Sequence, residues 1–136
     1  MRYIIDTNVF INFVLEDYVS NDVLAILDNY ENNIYVSSES IKEFVHLKQN
    51  GKITPSKNIA TLDVFDLIEN TLGFNVKFVT KEHLRTYAKL ELVEKHNDPS
   101  DRLIISQAIT EKMPLISSDT KFPKYVKYGL NFISNH

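Results

Sequence analysis

The sequence has no cysteine and no tryptophan, and it holds only three glycines and four prolines in 136 residues. Without cysteine there are no disulfide staples, no thiolate metal sites and no cysteine nucleophiles. So little glycine and proline excludes collagen-like and low-complexity character. Long apolar runs are missing as well: the stretch from Val9 to Leu15 is broken by Asn12 and falls far short of a bilayer span. The opening residues Met1-Arg2-Tyr3-Ile4-Ile5-Asp6 place a carboxylate where a signal peptide needs an apolar core, so a cytoplasmic protein with no membrane association is expected. Positive charge is not in excess either. Fifteen Lys+Arg against eighteen Asp+Glu give a formal net charge of −3, which argues against polyanion binding driven by bulk charge. Local positive charge, or a bound cation, is still compatible with a nucleic-acid enzyme.

Hydrophobic residues make up 43% and charged residues 24%, the balance of a soluble globular chain, and the length suits one domain over residues 1–136. Short runs of β-formers predict strands at Tyr3 to Ile5, Ile34 to Val36, Val76 to Val79, Leu115 to Ile116 and Asn131 to Ile133. Most are apolar throughout, as strands buried on both faces are. Helical spacing lies between them. Val23, Ile26, Leu27 and Tyr30 form one stripe, and Ile41, Phe44, Val45 and Lys48 a second, ended by Gly51. Ile59, Leu62, Phe65, Ile68 and Leu72 form a third, stopped by Gly73, and Leu84, Tyr87, Ala88 and Leu92 a fourth with Thr80 as N-cap. The clearest helix start is Asp98-Pro99-Ser100-Asp101, with a cap, a first-turn proline and a carboxylate facing the free N–H groups. Strands alternating with helices predict an α/β layer fold around a mainly parallel sheet.

In such a fold ligands bind at the carboxyl edge of the strands. Asp6 ends the first strand and Asp119 follows the fourth, while Glu43 belongs to the helix after the second strand and Asp101 to the first turn of the helix before the fourth. Each has a plain structural alternative. Asp6 suits an N-cap for Thr7 to Val14, Glu43 the partner of Ser40 in a capping box, Asp101 the helix macrodipole and Asp119 an Asx turn. Capping does not, however, require four acids to share one end of the fold. Unit charges about 4 Å apart repel by roughly 4 kcal/mol at an effective dielectric near 20. A hard divalent cation resolves that conflict, and it activates water and stabilises charge on a phosphoryl oxygen. Metal-dependent phosphodiester hydrolysis is the reaction class that fits.

The run Ile4-Ile5-Asp6-Thr7-Asn8-Val9-Phe10 resembles the opening of PIN-domain ribonucleases. His96-Asn97-Asp98-Pro99-Ser100-Asp101-Arg102-Leu103-Ile104-Ile105-Ser106-Gln107-Ala108 resembles the third motif of their VapC toxin branch, and Leu115-Ile116-Ser117-Ser118-Asp119 with Phe122 resembles the fourth. The likeness implies a three-layer α/β/α PIN-like fold over essentially the whole chain. It implies that Asp6, Glu43, Asp101 and Asp119 form the catalytic set, with Asp6 and Asp101 as metal ligands and Thr7, Asn8 and Ser118 as neighbouring hydrogen-bonding groups. Asp98 is read as a cap, and His96 as a loop histidine that braces the Asp98 turn. The likeness further implies an RNA substrate, often transfer RNA, with Mg²⁺ or Mn²⁺ as cofactor. A homodimer and a cognate antitoxin whose C-terminal segment fills the groove are implied too. Lys48, Lys52, Arg102, Lys121 and Lys124 are the candidate phosphate contacts.

Two other enzyme classes fare worse. A haloacid-dehalogenase-like phosphatase needs a second aspartate two residues after Asp6, where Asn8 stands, and a receiver domain needs a phospho-acceptor after the third strand, where Val76 to Thr80 offers none. A housekeeping RNA-processing nuclease and a non-catalytic RNA- or partner-binding scaffold are the remaining alternatives to a toxin.

Overall fold

Five strands, β1 (Arg2–Ile5), β2 (Asn33–Ser37), β3 (Asn75–Lys77), β4 (Leu115–Ser117) and β5 (Phe132–Ser134), pair in parallel in the order β3-β2-β1-β4-β5. They come from a computed structural model that describes residues 1–93 and 95–136. The strands predicted from β-former runs agree to within one or two residues. Because β1 is central, the chain moves outward to one side through β2 and β3, then crosses back to build β4 and β5 on the other. The order therefore reverses between β1 and β4, and open α/β sheets form their ligand crevice at such a reversal.

The strand side chains alternate between two apolar clusters. Ile5, Ile34, Val36 and Ile116 face one side, where α1 (Thr7–Val14), α2 (Asn21–Asp28) and α3 (Ser38–Gln49) supply Val9, Phe10, Val23, Leu27, Ile41 and Phe44. Ile4 and Leu115 face the other, against Ile104, Ile105 and Ala108 of α7 (Pro99–Glu111) and Phe122 and Tyr125 of a 3₁₀ segment, Phe122–Tyr128. Ile4, Ile5, Leu115 and Ile116 are fully buried. This is the α/β/α layering that the sequence pattern and the PIN resemblance both imply.

Helix starts follow their caps. Ser20 accepts the Val23 N–H, Thr80 opens α6 (Lys81–Lys89) by accepting the His83 N–H, and Asp98 accepts the Asp101 N–H ahead of Pro99. The single helix expected over Ile59 to Leu72 is instead broken into α4 (Lys57–Ala60), α5 (Val64–Asp66) and a π-helical turn, Leu67–Thr71. Asp63 is the cause: its carboxylate accepts the Phe65 and Asp66 N–H groups at 2.9 and 3.3 Å and so starts a new turn. Short polar side chains compete with helix continuation in this way. Gly73 (φ +70°) takes the left-handed conformation that ends the segment. The α7 segment ends on Lys112 at φ 54°, a left-handed residue with a side chain.

Candidate active site

Asp6 is the last residue before α1 and is 2% exposed. Its backbone N–H bonds to Ile116 O at 2.9 Å, which locks the end of β1 to β4. Ser117 Oγ donates to Asp6 Oδ2 at 2.8 Å, while Asp6 Oδ1 is buried with no hydrogen-bond partner among the described residues. Burial, and then the charge of Asp101, push the Asp6 carboxyl from 3.8 up to about 7 against the lowering effect of Ser117, and Asp119 adds to the rise. A carboxylate with a free buried oxygen and two acidic neighbours has the chemistry that a cation would neutralise.

Asp101 sits in the first turn of α7, where Asp98 capping and Pro99 fix its backbone. Its carboxyl is also raised, first by burial and then by Asp98 and Asp119, and is eased by a 3.3 Å contact from His96 Nε2. Asp119 follows β4 in a tight turn: its N–H donates to Ser117 Oγ at 3.0 Å and its Oδ1 accepts the Lys121 N–H at 2.8 Å. The Asx-turn geometry and a place at the rim are thus both real for this residue. One donor atom from each of His96, Asp101 and Asp119 lies within 4.8 Å of the others. The set of carboxylate oxygens with one imidazole fits a divalent cation. Asp6, expected as a ligand, lies outside that close group and is joined to it through the charges of Asp101 and Asp119.

The structure brings Asp6, Asp101 and Asp119 into one electrostatic neighbourhood. Glu43 stands apart from that group, on an exposed position in the middle of α3. The cap of α3 is Ser37, which accepts the Glu39 N–H, so the Ser40–Glu43 capping box does not form. Glu39, one turn before Glu43 on the same face, is the acid that reaches the rim: its Oε1 accepts from Ser100 Oγ at 3.1 Å and pairs with Lys42. The sequence reading passed over Glu39, although its i,i+4 spacing from Glu43 was the available signal.

Four smaller expectations change. Ser117, rather than Ser118, is the hydroxyl on the aspartates, because Ser118 is turned outward and accepts from Asn135 Nδ2 instead. His96 meets the turn that Asp98 caps through Asp101 rather than Asp98 itself: it is buried, with Nδ1 on Tyr125 Oη at 2.6 Å and Nε2 toward Asp101. Arg102 is not a surface phosphate contact, since its guanidinium is buried on Leu90 O at 2.6 Å and lies over the Tyr87 ring. Lys48 is likewise engaged, donating to Ala60 O at 2.6 Å. Lys52, Lys121 and Lys124 are exposed, the last two just beyond Asp119. Thr7 shares a hydrogen bond with Ser40 at 2.8 Å and ties α1 to α3 beside the rim.

Comparison with known proteins agrees on the fold. Three solved complexes share the fold over nearly their full length. VapBC2 from Rickettsia felis, bound to a promoter DNA fragment, has TM-score 0.67 at 20% identity, covering 98% of both chains. DNA-bound VapBC from Salmonella typhimurium has TM-score 0.70 at 14% identity, covering 100% of this chain and 99% of that one. FitAcB from Neisseria gonorrhoeae has TM-score 0.67 at 18% identity, covering 98% and 96%. No protein of curated function matches the sequence. The PIN domain profile matches residues 3–128, and the chain therefore belongs to the PIN domain family, whose members are generally nucleases.

Proposed function

We propose that this PIN domain is a metal-dependent endoribonuclease and the toxin of a VapC-like toxin–antitoxin pair. The observation that carries the reading is Asp6 Oδ1, buried and unpartnered beside Asp101 and Asp119 where the strand order reverses. Asp6 and Asp101 are the proposed ligands of Mg²⁺ or Mn²⁺, with Asp119 completing the site and Glu43, exposed and apart from the aspartates, meeting the ion or its water only once RNA is bound. When bound, the ion supplies an activated water and charge stabilisation at a phosphoryl oxygen. The protein's own groups do the positioning. Ser117 holds Asp6 and Asp119 in register, the Asp98 cap fixes the turn that carries Asp101, and Lys121 and Lys124 give local positive charge to a chain of net charge −3.

RNA, including transfer RNA, is the proposed substrate, on the strength of the motif resemblance. Partnership with an antitoxin is supported by the VapBC and FitAcB complexes that share the fold, and a homodimer by the same family likeness. No helix of the described residues is long and apolar enough to cross a membrane. The test is cleavage of labelled RNA by purified protein. Asp6→Asn and Asp101→Asn each keep shape but remove an anionic ligand, so each abolishes cleavage while the fold survives by circular dichroism. Chelation by EDTA stops the wild-type reaction, and Mg²⁺ or Mn²⁺ restores it. Wild-type rates in either variant, or in excess chelator, contradict the assignment.

A further inference from the structure

His96 is held from behind in a way that frees one of its nitrogens. The ring is buried between Phe122 and Tyr125, both edge-on at 5.4 and 5.3 Å between centroids. Its Nδ1 is 2.6 Å from Tyr125 Oη, and Tyr125 Oη is also 3.3 Å from the His96 carbonyl oxygen. A phenol has one proton to give, and a carbonyl oxygen has none. If Tyr125 donates to that carbonyl, Nδ1 carries an imidazole proton and donates to Oη, so that Nε2 offers its lone pair when a cation is bound and faces Asp101 as an N–H donor when none is. A nitrogen ligand to a metal is typically arranged so, with its other N–H given to a fixed acceptor.

The distances on the other side of the ring agree. Nε2 lies 3.3 Å from Asp101 Oδ2, and both lie within 4.8 Å of an Asp119 oxygen. A charge-assisted N–H···O⁻ bond is shorter, about 2.7–2.9 Å. Two ligands each about 2.1 Å from one ion stand about 3.0 Å apart at a right angle and about 3.4 Å apart at a tetrahedral angle. The observed gap of 3.3 Å matches two ligands that share one ion. Asp6 Oδ1, buried and without a partner on a residue that feels the charges of Asp101 and Asp119, is an independent sign of a cation in this neighbourhood.

From this we propose that His96 Nε2 is a direct ligand of the active-site ion, and that the mixed nitrogen–oxygen set favours Mn²⁺, or a later first-row divalent ion, over Mg²⁺. The proposal rests on the metal-dependent reading above. Imidazole suits transition ions, whereas Mg²⁺ keeps to oxygen and water.

Electron spin-echo modulation of the Mn²⁺-loaded protein tests it directly. Nitrogen-14 modulation is expected in the wild type, replaced by the nitrogen-15 pattern when histidine is isotopically labelled. In His96→Gln the modulation disappears, and titration shows Mn²⁺ affinity reduced by about tenfold or more while Mg²⁺ affinity changes by less than about twofold. Isotopic labelling needs no variant, so a misfolded His96→Gln does not block the test. If Mn²⁺ binds in a manner lost in Asp101→Asn but without histidine nitrogen modulation, or if the modulation persists in His96→Gln, His96 is not a ligand and the nuclease reading stands. If no Asp101-dependent Mn²⁺ binding occurs at all, both fall.

Discussion

Ser117 Oγ donates to Asp6 Oδ2 at 2.8 Å and accepts the Asp119 N–H at 3.0 Å, so one buried hydroxyl on β4 spans two acids from opposite ends of the chain. It occupies one Asp6 oxygen and leaves the other buried without a partner. In Ser117→Ala, Asp6 loses its orienting donor and the Asp119 turn loses its acceptor. Cleavage of RNA should fall about 10- to 100-fold, the usual consequence of removing a group that orients a metal ligand. Stability should fall by about 1–2 kcal/mol in urea unfolding. An unchanged rate would show that the hydroxyl does not position Asp6.

Stability should also depend on pH in a direction set by Asp6. Its carboxyl is held at about 7, mainly by burial, against 3.8 when free. Between those values the folded protein keeps a proton that the unfolded chain has released, so stability falls as pH rises through the window and then levels. Asp101, raised for similar reasons, acts with the same sign. Asp6→Asn removes the Asp6 contribution. At pH 8 in chelator the variant should be more stable than wild type by about 4 kcal/mol, at about 1.4 kcal/mol per pKa unit, and the difference should shrink near pH 5. Mn²⁺ should stabilise wild type alone, because it binds the ionised carboxylate. Unfolding curves that coincide for the two proteins at pH 8 would contradict this.

A third expectation concerns the fold alone. Lys112 ends α7 with φ 54° and is exposed, so its side chain strains a position that suits glycine. Lys112→Gly should stabilise the protein by about 0.5–1 kcal/mol, the relief of strain outweighing the entropy gained by the unfolded chain. Thermal unfolding checks the sign, and a lower midpoint would refute it.

The sheet was legible because its strands are short, apolar and flanked by cap residues whose roles are local. Asp98-Pro99 and Thr80 fix helix starts through their own neighbours, and Asp6 and Asp119 are placed by strand ends. What escaped depended on contacts across the chain. Asp63 stops one helix and starts another by a side-chain bond that periodicity does not register, because Ile59, Leu62 and Phe65 keep helical spacing through the break. The Tyr125 hold on His96 spans 29 residues, and the burial of Arg102 on Leu90 O comes from the packing of the loop before α7. Nothing in the spacing of those residues distinguishes a buried guanidinium from a surface one.

The two glutamates of α3 separate by experiment. Glu39 and Glu43 share a helix face, but Glu39 is half-buried and committed to Ser100 and Lys42, while Glu43 is exposed and has no side-chain partner among the described residues. A carboxylate already bonded to a serine hydroxyl braces α3 against the start of α7, whereas an uncommitted one is free to meet a water or an ion as RNA approaches. Glu43→Gln should therefore lower cleavage by about tenfold or more, the scale on which a positioned acid–base group acts, with little change in stability. Glu39→Gln should leave cleavage within about threefold and cost at most about 1 kcal/mol, as a partly exposed bond does. Cleavage rates and unfolding midpoints of the two variants decide between them, and the reverse pattern would make Glu39 the contribution of α3 to the site.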